Sequence, residues 1–322
     1  MPSDFKEFDC SRLRTHKAAG RERKVDLGSA AKAWRAGGSA SEFVASLPDV
    51  LAGLDLKAAV GALASAARER RPVILAMGAH VIKCGLAPIV TDLISRRIVT
   101  VLALNGAGAI HDVEMALFGR TSEDVAAGLA DGSFGMCSET ADFLNAAAVD
   151  GRAAGQGFGE TVGQRLAASA APYGDASILM AASRLGIPAT VHVAIGTDIV
   201  HMHPSADGGA IGDCTMRDFR IFAASIEDLA RRGGVLLNAG SAVVLPEVVL
   251  KAFAMASNVG CDLSRVFAVN LDFVRQYRAE QQIVERVRAA GGRAVSLVGH
   301  HEIMLPLIAA AVIESKEGPA VG

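Results

Sequence analysis

Aromatic residues are scarce, with one Trp, two Tyr and 12 Phe making up 5% of 322 residues. An excess of either charge is missing too. The chain has 32 basic and 34 acidic side chains, a formal net charge of −2, so no phosphate-neutralising nucleic-acid surface is expected. Five cysteines (Cys10, Cys84, Cys137, Cys214, Cys261) lie far apart with no CxxC pair, the pattern of reduced thiols in a cytoplasmic protein. The opening MPSDFKEFDCSRLRTHK lacks the apolar stretch of a signal peptide. No uncharged run reaches the ~18 residues of a membrane span, so no membrane partner is expected. Neither GxGxxG nor HExxH occurs, which removes the ordinary dinucleotide and zinc-hydrolase signatures.

What remains is an apolar majority, 51% hydrophobic against 20% charged, which excludes a disordered chain. A chain of this length buries roughly three quarters of its unfolded surface and needs no disulfide or structural metal. Six short apolar runs organise it: Pro72–Gly78, Ile98–Leu104, Ile187–Ile195, Gly234–Asn238, Val266–Leu271 and Ala294–Val298. None alternates with polar residues, as expected for strands buried on both faces. Helical segments separate them, so right-handed crossovers and a parallel sheet follow. The expected fold is α/β, a Rossmann-like parallel sheet of six or more strands with helices on both faces. Residues 1–70 read as an amino-terminal arm and helices, the basic stretch 1–26 being a solvated arm or else a lid or oligomer contact. Residues 71–322 read as one cofactor-binding α/β domain with a helical insert at 121–186. Within the insert, Thr121–Asp124 resembles a capping box and Ser138 offers a second N-cap.

The turns after the strands hold the unusual residues. They are Gly78-Ala79-His80; Asn105-Gly106-Ala-Gly108 with His111 and Asp112; Gly196-Thr-Asp198 with His201, His203 and Asp207–Asp213; Asn238-Ala-Gly240-Ser241; Asn270-Leu-Asp272; and Gly299-His300-His301-Glu302. In an open parallel sheet these points share the carboxyl edge, where ligands bind. Seven of the eight histidines lie in or just before these turns. Glycines here are tight turns or bring backbone N–H groups to a phosphate, and Gly106 and Gly108 are expected to do the latter. His192, between two valines in a strand, reads as a buried histidine. Asp112, Asp207, Asp213 and Glu302 are N-caps or site carboxylates.

At these turns the chain resembles deoxyhypusine synthase, over about residues 70–312. Val81–Gly85 (VIKCG) is similar to that family's L-I-S-S-G-like segment beside NAD, and Val101–Asp112 to its V-L-V-T-T-A-G-G-V-E-E-D loop. Ala206–Asp213 resembles T-D-G-S-L-G-D, Gly240–Leu245 resembles G-G-G-V-V-K, Asn270 falls at I-N-T, and Gly299–Val312 resembles A-D-A-S-L-V-F-P-L-L-V-A-E-T-F. The departures bear on activity. The family's imine-forming lysine falls on Leu245, its following histidine pair on Pro246-Glu247, and its polyamine-holding glutamate on His111. The resemblance therefore implies NAD binding and a homotetramer with sites between subunits, but not deoxyhypusine synthase activity. The NGAGAIHDVE turn also resembles the NAD-binding domain of archaeal-type ornithine cyclodeaminases, which keep a histidine and an aspartate at the positions of His111 and Asp112.

Three functions are weighed. The first is an NAD-dependent transferase or lyase acting on a small polar amine, amino acid or polyol. Its acid–base and orienting groups would be His111, Asp112, Asp213, Glu247, His300 and His301. Its cofactor residues would be Gly78, Ala79, His80, Asn105, Gly106, Gly108, Gly240, Ser241, Asn270 and Asp272. The second is a metal-dependent hydrolase or lyase using His201, His203, His300 and His301, with Asp207 completing the site. The third is a non-catalytic cofactor-binding or assembly protein, which would not require histidines and carboxylates gathered at glycine turns.

Overall fold

The computed structural model describes residues 5–317. The first four residues of the expected arm and the last five of the expected domain lie outside the described residues. Residues 5–26 are exposed. Two helices follow, α1 (Ala40–Ser46) and α2 (Leu51–Arg68). Then come β1 (Val73–Met77), α3 (His80–Lys83), α4 (Ala87–Ser95), β2 (Val101–Asn105) and α5 (Gly106–Phe118). The insert supplies α6 (Val125–Asp131), α7 (Ser138–Ala154), α8 (Phe158–Ala168) and α9 (Ile178–Arg184). The chain continues through β3 (Ala189–His192), α10 (Gly208–Arg232), β4 (Gly234–Ala239), α11 (Val244–Asn258) and β5 (Val266–Asp272). It closes with α12 (Tyr277–Ala279), a π-helical turn at Glu280–Val284, α13 (Glu285–Ala289), β6 (Arg293–Val298) and α14 (His301–Glu317).

All six strands pair in parallel, in the order β3-β2-β1-β4-β5-β6. The alternation of side chains splits the core in two. Leu75 and Met77 face the cluster built with α2, α4, α5, α7–α9 and α14. Ile74 and Ala76 face the second cluster, built with α10, α11 and α13. Leu56, Ala59, Val60 and Leu63 of α2 join the first cluster, so this helix covers the sheet rather than belonging to the arm.

β2 starts later than expected because Ile98 and Val99 close off α4. Both of their amides donate to the Leu93 carbonyl, at 2.9 and 3.1 Å, after Arg97 turns left-handed (φ 55°). The two expected N-caps in the insert are corrected. Asp124 caps α6, its Oδ1 accepting the Ala127 amide at 3.1 Å, while Thr121 is bonded elsewhere. α7 is preceded by Cys137, which makes no side-chain cap, and the Ser138 hydroxyl turns to Glu139.

Candidate active site

Sheet order decides where a ligand can sit. From β1 the chain steps outward to β2 and β3, then returns to place β4 on the other side of β1. The crevice of such a sheet lies outside the carboxyl ends of β1 and β4. Here the backbone continues the ladder one step past each strand. Gly78 N donates to Ala239 O (3.0 Å), Gly240 N to Leu271 O (2.9 Å), and Gly299 N to Asp272 O (3.0 Å). A Cβ on Gly78 would run into the Gly240 carbonyl. Gly240 has φ +66° and stands against the His301 ring. Only glycines permit this approach, which leaves two bare backbone turns side by side.

The β4–β6 side of this edge carries an aromatic corner. The rings of His80, His301 and Phe273 lie within 5.4–6.3 Å of one another. His301 is fully buried, its Nε2 donating to Leu271 O at 3.3 Å and its Nδ1 left without a partner. Burial holds its pKa below the ordinary value, against the pull of the Leu271 carbonyl and Asp272. His80 is exposed, and its Nε2 stands 3.2 Å from Cys84 Sγ. Burial, then the nearby Glu302, push that thiol upward in pKa. Asp272 ends β5 with Oδ1 accepting the Phe273 amide at 2.8 Å.

On the β1–β3 side, a small cleft of about 160 Å³ is walled by Lys83, His111, Glu114, Glu123, Thr197 and Asp198, with Ile110, Phe134 and Ile199 as its apolar parts. His111 Nδ1 lies 2.5 Å from Thr121 Oγ1, and Thr121 also bonds Glu114. A carboxylate only accepts, so the single Thr121 proton goes to Glu114 and His111 Nδ1–H donates to Thr121. In the neutral form of the ring, Nε2 is then the acceptor. Burial raises the Glu114 carboxyl, but hydrogen bonds from His111, Thr121 and Thr140 outweigh it and hold Glu114 below the usual range. Thr121 is delivered by a turn in which Ser122 is left-handed (φ 75°), a conformation retained only where surrounding structure fixes it. Asp198 is raised by burial, countered by His201. α3 is shared by both sides, with His80 at its start in the aromatic corner and Lys83 at its end in the cleft.

Several expected site residues are placed elsewhere. Asp112 is corrected from catalysis to support. It is fully buried, with its oxygens accepting from Ser177 Oγ (2.6 Å), Ile178 N (2.8 Å) and Leu179 N (3.1 Å), and thus anchors the start of α9 on α5. Gly108 is corrected as well. Its amide is taken by the Asn105 cap at 3.0 Å, and a Cβ would meet Leu104 at 3.3 Å. A Cβ on Gly106 would strike the Asp198 carboxylate. Asn105 is thereby the cap of α5, and Ser241 Oγ accepts Leu245 N of the first turn of α11 at 3.2 Å. Asn270 lies inside a buried ladder, accepting from Asn238 (2.8 Å) and donating toward Glu280 and Ser296. Asp213 pairs with Arg217 at 3.0 Å on α10, and Glu247 of α11 pairs with Lys251 on the same helix and with Arg278 of α12. Gly78, Ala79, His80, Gly240, Asp272 and His301 line up along the crevice, and His300 stands exposed beside it, 3.8 Å from Glu302.

The metal site is corrected outright. His201 and His203 follow β3, whereas His300 and His301 follow β6, and these are the two outermost strands. Five strand spacings, on the order of 24 Å, separate the pairs. His201 Nδ1 accepts the Gly196 and Asp198 amides, and His203 Nε2 donates to Gly135 O at 2.7 Å. Asp207 caps α10 through the Gly209 and Ala210 amides. Among the described residues, no group of three or more His, Cys, Asp or Glu could hold a metal ion. His192 is buried as expected, bonded to Thr190 and edge-on to Phe222, with its pKa lowered to about 4 by burial.

Sequence reasoning missed Glu114, Thr121, Lys83 and Asp198 as members of the cleft. Asp198 lay in a carboxyl-edge turn and Lys83 in the VIKCG segment, while Glu114 is one helical step (i, i+3) from His111.

The parallel sheet and its crevice define a Rossmann-like α/β protein. AgrE, solved as a ternary complex with ornithine and NAD+, shares this fold, at 16% identity and a TM-score of 0.54 over 81% of this chain and 32% of that one. ArgZ, an arginine dihydrolase from the ornithine–ammonia cycle in cyanobacteria, is 16% identical over 83% of this chain and 33% of its own, with a TM-score of 0.49. A protein from Entamoeba histolytica, provisionally described as a deoxyhypusine synthase, is 13% identical over 85% of this chain and 93% of its own, with a TM-score of 0.46. The chain spans about a third of the length of AgrE and ArgZ. No family model matches it, and no curated protein does.

Proposed function

We propose that the protein is an NAD-dependent enzyme acting on a small polar amine, amino acid or polyol at the carboxyl edge of the sheet. The observation that carries this reading is the His111–Thr121–Glu114 chain in a cleft beside the Gly78–Gly240 crevice. A neutral imidazole with a fixed tautomer and a carboxylate behind it is an acid–base device, and the adjoining bare turns suit a dinucleotide. The fold shared with AgrE, which binds ornithine and NAD+ in its ternary complex, supports the same cofactor.

The residues present fit that cofactor. Gly78 and Gly240 pack turn against turn with no side chain between them, and Ala79 adds only a methyl group beside them. Asp272 keeps a second carboxylate oxygen beyond the one that accepts Phe273 N, suited to a ribose hydroxyl. When bound, the nicotinamide would supply hydride acceptance and donation. The protein's part is protonic and positional. His111 Nε2 takes a proton from the substrate amine or hydroxyl, and Nδ1–H stays on Thr121. The resulting imidazolium is stabilised through Thr121 by Glu114, a charge-assisted arrangement inside a half-buried cleft. Lys83, Glu123 and Asp198 give the cleft both signs of charge, as recognition of a zwitterion or a polar alcohol requires.

The test is mass spectrometry of nucleotide retained on the purified protein, followed by calorimetric titration with NAD+. Saturable NAD+ binding that His111→Asn leaves intact is expected, and the absence of any NAD+ binding by the folded protein would refute the reading. The fate of the hydride follows from product analysis once a substrate is turned over.

A further inference from the structure

At the opposite, amino edge of the sheet lies a hollow of about 460 Å³ that the proposed activity does not use. Its origin is legible in α2, where Ala58, Gly61, Ala62 and Ser65 recur at i, i+3, i+4 and i+7 and form one helix face. That face carries no bulk, so it stands away from the starts of β4, β5 and β6. Three guanidinium groups, Arg71, Arg265 and Arg293, enter the space left, and no carboxylate lines it. Arg71 is balanced by Glu69 at 2.9 Å and also donates to Ser65 Oγ. Arg265 donates to the Arg231 and Arg232 carbonyls at the end of α10, and the Asp262 carboxylate balances part of its charge. Arg293 lies over the Phe267 ring, 5.3 Å from its centroid, with no carboxylate partner among the described residues. Asp262 also accepts the Ser264 amide and hydroxyl.

We propose that this hollow binds a small phosphorylated molecule bearing two adjacent phosphoryl groups. The Arg293 guanidinium, with Arg71 and Arg265 lining the same concave site of ordinary ligand size, matches that chemistry. The site lies across the sheet from the crevice, so it is independent of the cofactor reading.

Inorganic pyrophosphate is the probe, titrated calorimetrically into the full chain at low and moderate salt. Saturable binding is expected, at least tenfold weaker in Arg293→Gln. Gly61→Leu tests the hollow without touching its charge. Open space faces Gly61, so leucine fills the cavity while favouring the helix, and pyrophosphate binding should be lost with the melting temperature unchanged or raised. Binding that survives both substitutions, or binding displaced by NAD+, overturns the proposal, as does a wild-type protein that takes up no pyrophosphate.

Discussion

In the β1–β2–β3 half of the sheet, Asp112, His192, His203 and Asp218 are buried or half-buried and turned inward, and each holds another segment in place. Asp218 Oδ2, for example, accepts the Gly159 and Val191 amides at 2.9 and 2.7 Å and ties α8 and β3 to α10. In the β4–β5–β6 half, His300 is exposed and His301 Nδ1 has no protein partner, although Asp218 Oδ1 in the first half lacks one too. His80, on the α3 helix shared by both halves, is exposed as well. A histidine or carboxylate after a strand is thus structural where a long helical insert packs over it, and available where a short connection leaves it uncovered. His111 and Glu114 are the exception in the first half, because the Thr121 turn faces them and Val125 of α6 walls their cleft without filling it.

That contrast breaks most severely at Asp112. Asp112→Ala strands three buried donors, and a loss of about 3–5 kcal/mol or failure to fold is expected in urea unfolding. A variant as stable as the parent would mean that the anchor is not structural. Next in size is His111→Asn, for which turnover per folded molecule should drop ~10²–10⁴-fold with little change in NAD+ affinity or melting temperature. Equal losses of stability and cofactor affinity with turnover preserved would make His111 another inward, structural group. Gly78→Ala should weaken NAD+ binding roughly tenfold or more by forcing the Gly78 and Gly240 turns apart, about 1.4 kcal/mol per tenfold. Gly208→Ala, where a methyl group meets open space, should leave it unchanged, and equal effects from both would detach the cofactor from the crevice.

The smallest expected effect is a pH slope. Burial raises Asp218 to about 7 and Asp112 to about 6, both above the unfolded value of about 3.9. A carboxyl raised on folding contributes stability that is full below about pH 4 and lost as pH climbs through its folded pKa. The melting temperature should therefore fall between about pH 5 and 8. Asp218→Asn, keeping an acceptor for both amides without the charge, should flatten the upper part of that fall. A melting temperature that rises across this range would reverse the assigned cause.

The strands were legible because burial on both faces demands unbroken apolar runs, and all six lie within the expected segments or a residue beyond them. Their order was not legible. Nothing local in Ile187–Ile195 or Ala294–Val298 says that these runs become opposite edges, and that order dismantled the four-histidine metal site. Asp112 and Gly108 misled for a related reason, since a capping side chain and an insert packing from 65 residues away decide whether a polar atom is free. The cleft was half legible. His111 stood out by type, but Thr121 reads as a cap until the turn at Ser122 carries it back onto α5.

The central position of β1 has a consequence for synthesis. Val73–Met77 pairs with β2 almost at once, but its other edge waits for Val235–Ala239, ~160 residues later. At about 5–20 residues per second of translation, that edge stays unpaired for on the order of 10–30 s. VILAM is an uncharged β-forming run of the kind that recruits other chains when left open. The growing polypeptide therefore passes through a stage in which its most apolar strand is half-zipped, and its yield in a cell should depend on chaperones and slow growth more than its finished stability would suggest.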